Sequence, residues 1–256
     1  MGGLGFDGLV QGKSHEVVLA VFWQRRRLAL GWSHERSRAL LVELRRLDAA
    51  AGELQPPAAR PAPADPHALG EPNSGREERA SSAAELLYIV NVHLEASPSR
   101  PHDRVAQLRH ALQRLERQLQ ERRVPVEGAQ VVIAGDFNSQ GGDAPCRLLR
   151  DGRLAAGAAD GGLPHLPATF EELQHPFRLR EAYEVAQAVP AFTRKADGDG
   201  VRLDFFFCSA AVEVAAVLRP LPAPLRGLVQ RAGLPNRALP SDHLPVGAVL
   251  RLGAGE

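Results

Sequence analysis

The chain has 256 residues, with 31 Lys and Arg against 30 Asp and Glu, and a formal net charge of +1. Hydrophobic residues make up 44% and charged residues 24%, enough for a substantial core in one large domain or two small ones. This near-neutral balance excludes a protein that grips duplex nucleic acid mainly through its phosphates, and no apolar run approaches the length of a membrane span. Its two cysteines, Cys146 and Cys208, lie far apart and outside any C-x-x-C pair, as expected of free thiols in a reducing compartment. The opening "MGGLGFDGL" lacks the basic-then-apolar order of a secretory signal. The expected location is cytoplasmic or nuclear.

In chain order, "EVVLAVFW" (residues 16–23) reads as a strand, and "RLALGW" (27–32) as its hairpin partner across a tight "QRR" turn. "SRALLVELRRL" (37–47) suits a strand or a helix. Residues 48–84 are dominated by Pro, Ala, Gly and charge without apolar periodicity, and read as a disordered loop insertion between two strands of one domain. "ELLYIVNVHLEA" (85–96) is a strand. Residues 103–123 form the clearest helix, with Val105, Leu108, Leu112, Leu115 and Leu119 in one stripe and Asp103 as expected N-cap. A strand at 130–135 follows, then a short helix in "DAPCRLLRDGRL" with a Gly stop. "FRLREAYEVA" is a short helix or turn. "VRLDFFFCS" (201–209) and "VEVAAVLRPL" (212–221) are strands, and "PNRALPSDHLPVGAVLRL" is a turn leading into a last strand. Strands outnumber helices, and the helices lie between them, which indicates a layered α/β sandwich in a single domain.

Polar residues cluster where these strands stop or start. "NVHL" (91–94), "GDFN" (135–138), "RLDFFF" (202–207) and "SDHLPV" (241–246) set His93, Asp136, Asn138, Asp204, Asp242 and His243 against apolar runs. The inventory is carboxylate, imidazole and amide, with no nucleophilic Ser or Cys in a matching position. Such a set suits metal-assisted hydrolysis. Carboxylates are hard ligands for Mg²⁺ or Mn²⁺ and can orient water, and a carboxylate-held histidine can stabilise charge on a phosphoryl group. Any one motif alone is explained as well by turn-forming Asp and Asn; the four together favour a site. An unpaired Asp204 between Leu203 and Phe205 would be costly to bury, and His243 is its natural partner. The remaining histidines read as surface residues, and Gln107 and Thr193 are explained equally well by local structure.

The ordered set resembles the endonuclease/exonuclease/phosphatase superfamily, whose fold is deoxyribonuclease-I-like. The tail "AFTRKADGDGVRLDFFFCSAAVEVAAVLRPLPAP…LPSDHLPVGAVLRL" is similar to the branch of deadenylases, nocturnin and 2′-phosphodiesterases, as is "GFDGLVQGKSHEVVLAVFWQRRRLAL". The resemblance implies a four-layer α/β/β/α sandwich and a Mg²⁺- or Mn²⁺-dependent phosphodiesterase acting on RNA 3′ ends or a nucleotide-like phosphate ester. It assigns Asp136 to water activation, Asn138 to positioning water and phosphate, and His93 to a phosphate oxygen. It sets Asp242 on the metal side, with His243 on the scissile phosphate and Asp204 holding the His243 ring. The family's metal-side Asn strand and its Gln-Glu strand precede the point where the resemblance begins. The expectation is therefore an N-terminally incomplete domain with weakened metal binding. Two alternatives stay open: a catalytically inactive remnant or binding module, and an inositol or sphingolipid phosphoesterase of the same fold.

Overall fold

The computed structural model describes residues 4–12, 18–47, 85–155, 172–196, 199–219, 221 and 223–253. The expected insertion at 48–84 lies outside the described residues. Its flanking strands β4 (Ala39–Arg46) and β5 (Leu86–His93) are antiparallel neighbours.

A six-stranded sheet forms the centre. Its order is β3 (Leu28–Arg36), β4, β5, β6 (Gln130–Asp136), β10 (Asp204–Ser209), β9 (Leu179–Glu181). β5 and β6 are parallel, joined through helix α1 (Pro101–Arg122); the other neighbours are antiparallel. The unbroken apolar runs of β4, β6 and β10 follow from a sheet covered on both faces, where alternate residues serve different cores. Leu41, Val131, Ile133, Phe205 and Phe207 enter one core together with α1 and helix α2 (Ala144–Asp151). Leu40, Val42 and Leu44 face the hairpin of β1 (Phe6–Val10) and β2 (Ala20–Gln24) through Leu19, Val21 and Trp23. Val132 and Cys208 face the antiparallel pair of β11 (Val212–Val217) and β12 (Ala248–Leu252), which are consecutive strands separated by thirty residues. The second layer is thus two separate antiparallel pairs, with Ile89, Ala134 and Phe206 only partly buried between them. A two-residue pair, β7 (Arg153–Leu154) with β8 (Leu173–Gln174), and the single-turn helix α3 (Ala182–Val185) complete the edge.

All five residues of the expected α1 stripe are buried, each worth about 1.5–3 kcal/mol of transfer free energy. The helix begins two residues earlier than Asp103, with Arg100 at the N-cap and Pro101 leading. Asp103 sits in the first turn and pairs with Arg100 instead, where its charge favours the helix N-terminus. Gly152 ends α2 at φ +72°.

Two expectations about pairing and identity change. β3 does not pair with β2 across the "QRR" turn: β2 pairs with β1, β3 with β4. The turn carries the chain from one layer to the other, because the apolar side chains of β2 stack on β4 rather than beside it. "FRLREAYEVA" divides into β9 and then α3, with the Glu181 carboxylate accepting the Glu184 N–H at 2.9 Å as N-cap. Helix α4 (Ala223–Ala232) and strand β1 are additions. Among the described residues, no helix is long and apolar enough to cross a membrane.

Candidate active site

Three adjacent strands deliver three polar groups in one row. β5 ends at His93, β6 ends at Asp136, and β10 begins at Asp204. The register places His93 beside Asp136 across the parallel pair and Asp136 beside Asp204 across the antiparallel pair. Directly paired residues point to the same face, about 5 Å apart. Gly135 permits the approach. Its φ is +138°, and a Cβ there would overlap the Val92 carbonyl of β5.

His243 arrives from the segment before β12. That segment is docked by backbone pairing: Leu244 N–H donates to Thr193 O at 2.7 Å, Lys195 N–H to Asp242 O at 3.2 Å, and Arg194 bridges His243. The buried Thr193 hydroxyl also accepts the N–H groups of Leu203 (2.9 Å) and Asp204 (3.0 Å). It therefore fixes the start of β10 and the His243 segment to each other.

The His243 Nδ1–H donates to Asp204 Oδ2 at 2.8 Å. This bond, foremost, holds the imidazole above its ordinary pKa, with the charges of Asp204 and Asp136 adding. His243 Nε2 then lies 3.8 Å from Asp136 Oδ2, and His93 Nε2 3.6 Å from the same oxygen. Burial pushes the Asp136 carboxyl upward and the like charge of Asp204 adds to it, while the Asn138 N–H on its Oδ1 at 2.8 Å pulls the other way. Asn138 takes φ +46° to make this turn, a conformation that Asn tolerates, and its Nδ2–H donates to Leu94 O at 2.9 Å. The amide braces the β5 and β6 ends against each other. Phe137, between the two polar residues, points away into the core against Phe205 and Phe207.

All six residues singled out from sequence line one open cleft of about 870 Å³. Asp242 stands at its rim, with Oδ2 accepting from Arg194 Nε at 3.2 Å. Arg194 and the buried Arg104 also line the cleft and were not foreseen. The signal for Arg194 was its place directly after the Phe-Thr of the matching tail; Arg104, inside a helical pattern, gave none. Gln107 serves local structure, its Oε1 accepting the Glu95 N–H at 2.9 Å, whereas Thr193 ties the site segments together. His175 is not a plain surface residue: its Nε2–H donates to Leu148 O (2.9 Å) and its Nδ1 accepts the Phe177 N–H (3.2 Å).

The donor set fits a divalent cation. Ligand atoms of Asp136, Asp204 and His243 lie within 4.8 Å of one another. The two carboxylates face each other across neighbouring strands, and among the described residues their ion partners are imidazoles alone. Like charges directly opposite on a sheet are unfavourable, and a cation removes that cost.

Residues 16–243 match the Endonuclease/Exonuclease/phosphatase family. The chain belongs to that family, and its central sheet is that of the deoxyribonuclease-I-like fold. It is similar to Carbon catabolite repressor protein 4 homolog 4 of Arabidopsis thaliana, 31% identical over 169 residues, which are 64% of this chain and 37% of the relative. It is also similar to the CCR4-Not complex 3′-5′-exoribonuclease subunit Ccr4 of Candida albicans, 25% identical over 180 residues, 68% of this chain and 22% of that one. The match therefore spans well under half the length of these relatives. Among solved structures, ANGEL2, a 2′,3′-cyclic phosphatase, in complex with adenosine-2′,3′-vanadate superposes with a TM-score of 0.69 at 19% identity, covering 98% of this chain and 76% of that one. The human Nocturnin catalytic domain with bound sulfate gives 0.58 at 16% identity, covering 98% and 74%.

Proposed function

We propose that this chain carries the hydrolytic site of a metal-dependent phosphodiesterase that acts at the 3′ end of RNA, in the manner of a 3′-5′ exoribonuclease. The observation that carries the reading is the convergence of Asp136, the Asp204–His243 pair and His93 on one cleft, with a single Asp136 oxygen within 3.8 Å of both imidazoles. The naming of Ccr4 relatives as 3′-5′ exoribonucleases supports the substrate class.

In this reading Asp136 orients the attacking water and takes its proton. His243, held by Asp204 through Nδ1, presents Nε2–H to a non-bridging phosphate oxygen. Its raised pKa keeps more of it cationic as charge builds there. His93 contacts a second phosphate oxygen from the opposite side of Asp136. Asn138 fixes the Asp136 rotamer through its backbone N–H on Oδ1 and lines the cleft, where it would help position water and phosphate. The carboxylates of Asp136 and Asp204 would hold Mg²⁺ or Mn²⁺, with Asp242 at the rim, and a bound ion supplies Lewis-acid polarisation of the phosphoryl group.

The test is product analysis. With Mg²⁺ or Mn²⁺, 5′-AMP is expected from 3′-hydroxyl oligoadenylate, and Asp136→Ala should abolish its release while the melting temperature stays near that of the wild type. Release of phosphate from 2′,3′-cyclic ends, or of head groups from inositol or sphingolipid phosphates, in place of AMP would replace the exoribonuclease reading. RNA binding without hydrolysis would leave the binding module.

A further inference from the structure

A second cavity, of about 590 Å³, lies at the far end of the sheet from the catalytic cleft. Arg150, Arg153, Arg178 and Arg180 line it against one carboxylate, Asp151. The chain as a whole is almost charge-balanced, so this is a local concentration. Arg150 is paired with Glu184 at 2.8 Å. Arg180 Nη2 donates to the neutral Val212 carbonyl at 3.1 Å and, among the described residues, has no acidic partner. Arg153 and Arg178 are exposed and, among the described residues, have no acidic partner. Three like charges around one groove repel one another, and a polyanion relieves that repulsion.

One hydrogen bond links the walls of the groove and the cleft: Arg150, which lines the groove, donates from Nη1 to Gly141 O at 2.9 Å, and Gln140 and Asp143, on either side of Gly141 and Gly142, line the cleft. Along β10, Asp204 marks the cleft end, and Ser209, opposite Leu179, marks the groove end. Five residues of strand at ~3.3 Å each separate the two by roughly 17 Å.

We propose that this groove binds the sugar–phosphate backbone of a single-stranded RNA whose 3′ end occupies the catalytic cleft. The proposal rests on the exoribonuclease reading and deepens it, because it makes the substrate a polymer rather than a mononucleotide. Arg153 and Arg178 contact phosphates several nucleotides upstream of the scissile bond and carry no sequence preference. The arrangement lets a long strand stay attached while successive nucleotides leave.

The experiment measures binding without turnover. Fluorescein-labelled oligo(A) of twenty nucleotides and the dinucleotide ApA are titrated with the full chain in EDTA, by anisotropy, across a salt series. ApA is too short to span the roughly 17 Å between cleft and groove. The 20-mer is expected to bind at least ~10-fold tighter, with a steeper salt dependence. In the Arg153→Glu/Arg178→Glu double variant that advantage should fall to within ~3-fold, and the salt slope should flatten by about 1.4, ~0.7 for each lost phosphate contact. ApA affinity and the melting temperature should be unchanged, since both side chains are exposed. Arg153→Gln/Arg178→Gln should fall between. Equal 20-mer binding by wild type and the charge-reversed variant overturns the proposal and would point the groove towards an acidic protein segment instead. That result leaves the catalytic reading standing if AMP is still released; loss of AMP release with the length effect intact would do the reverse.

Discussion

Glu181 and Arg202 form an ion pair next to strand β10, and breaking it is expected to cost more than any surface change. Glu181 Oε1 lies 2.8 Å from Arg202 Nη2, with side-chain exposures of 0% and 12%. The guanidinium also stacks over Phe205, 4.4 Å from the ring centroid, and approaches Tyr183 at 5.8 Å. Glu181→Ala leaves a buried cation unpaired, which costs about 3–5 kcal/mol. It also removes the N-cap of α3, worth ~1 kcal/mol. At roughly 2–4 °C per kcal/mol for a chain of this size, the melting temperature should fall by ~15 °C. Arg202→Met leaves the carboxylate unpaired and forfeits the ring contact, ~0.5–2 kcal/mol, so it should cost a similar amount. The double variant Glu181→Ala/Arg202→Met removes both charges and should recover most of the loss that comes from leaving one partner buried and unpaired. Calorimetry on all four proteins closes the cycle. A shift below ~2 °C for Glu181→Ala, or simple additivity in the double variant, would refute the reasoning.

Further outcomes follow from the same structure. Gly135→Ala places a side chain against the Val92 carbonyl at a φ that only glycine adopts freely; it is expected to yield little folded protein, and a melting temperature within about 3 °C of wild type would contradict the packing described. Mn²⁺ at a hundredfold its Kd should stabilise the fold by ~2.7 kcal/mol in thermal denaturation. Asp136→Asn should abolish that shift while raising the metal-free stability by up to ~1 kcal/mol through relief of the Asp136–Asp204 repulsion. His175 titrates below the ordinary imidazole value because it is buried, its bond to the Leu148 carbonyl countering only in part. The unfolded state therefore binds the proton first as pH falls, so the His175 contribution is complete above about 6.5 and is lost below it. Urea midpoints at pH 7.5 and 5.5 should differ more for the wild type than for His175→Gln, and equal differences would count against a neutral, doubly bonded ring.

The part of this molecule visible in the sequence is the part governed by short-range periodicity. The α1 stripe and the apolar runs of β5, β6 and β10 each announce their own buried faces, and the polar residues at their ends therefore announce a site. What stayed hidden is set by distant partners. Nothing in "QRR" distinguishes a hairpin from a step between layers; that depends on Leu40, Val42 and Leu44 receiving the side chains of β2. Strand β1, with Asp7 and Gly8 at its centre, carries no alternation of its own and forms because β2 offers an edge. Helix α4 has Leu225, Leu228 and Val229 at helical spacing, but its Pro-rich approach masked the pattern. Asp242 could be read as a site residue from "SDHLPV", whereas its pairing with Arg194, forty-eight positions away, could not.

The row of His93, Asp136 and Asp204 stands on rungs of the central ladder, whereas His243 hangs from a loop pinned to Thr193 and Arg194. The two sides of the cleft consequently differ in stiffness. Amide protons along the strand side exchange only when the sheet itself opens, while those of residues 241–244 are released by a local excursion that breaks a few backbone bonds. Opening of the cleft is therefore expected to be one-sided, with His243 and Asp242 moving together while Asp136 and Asp204 stay on their strands.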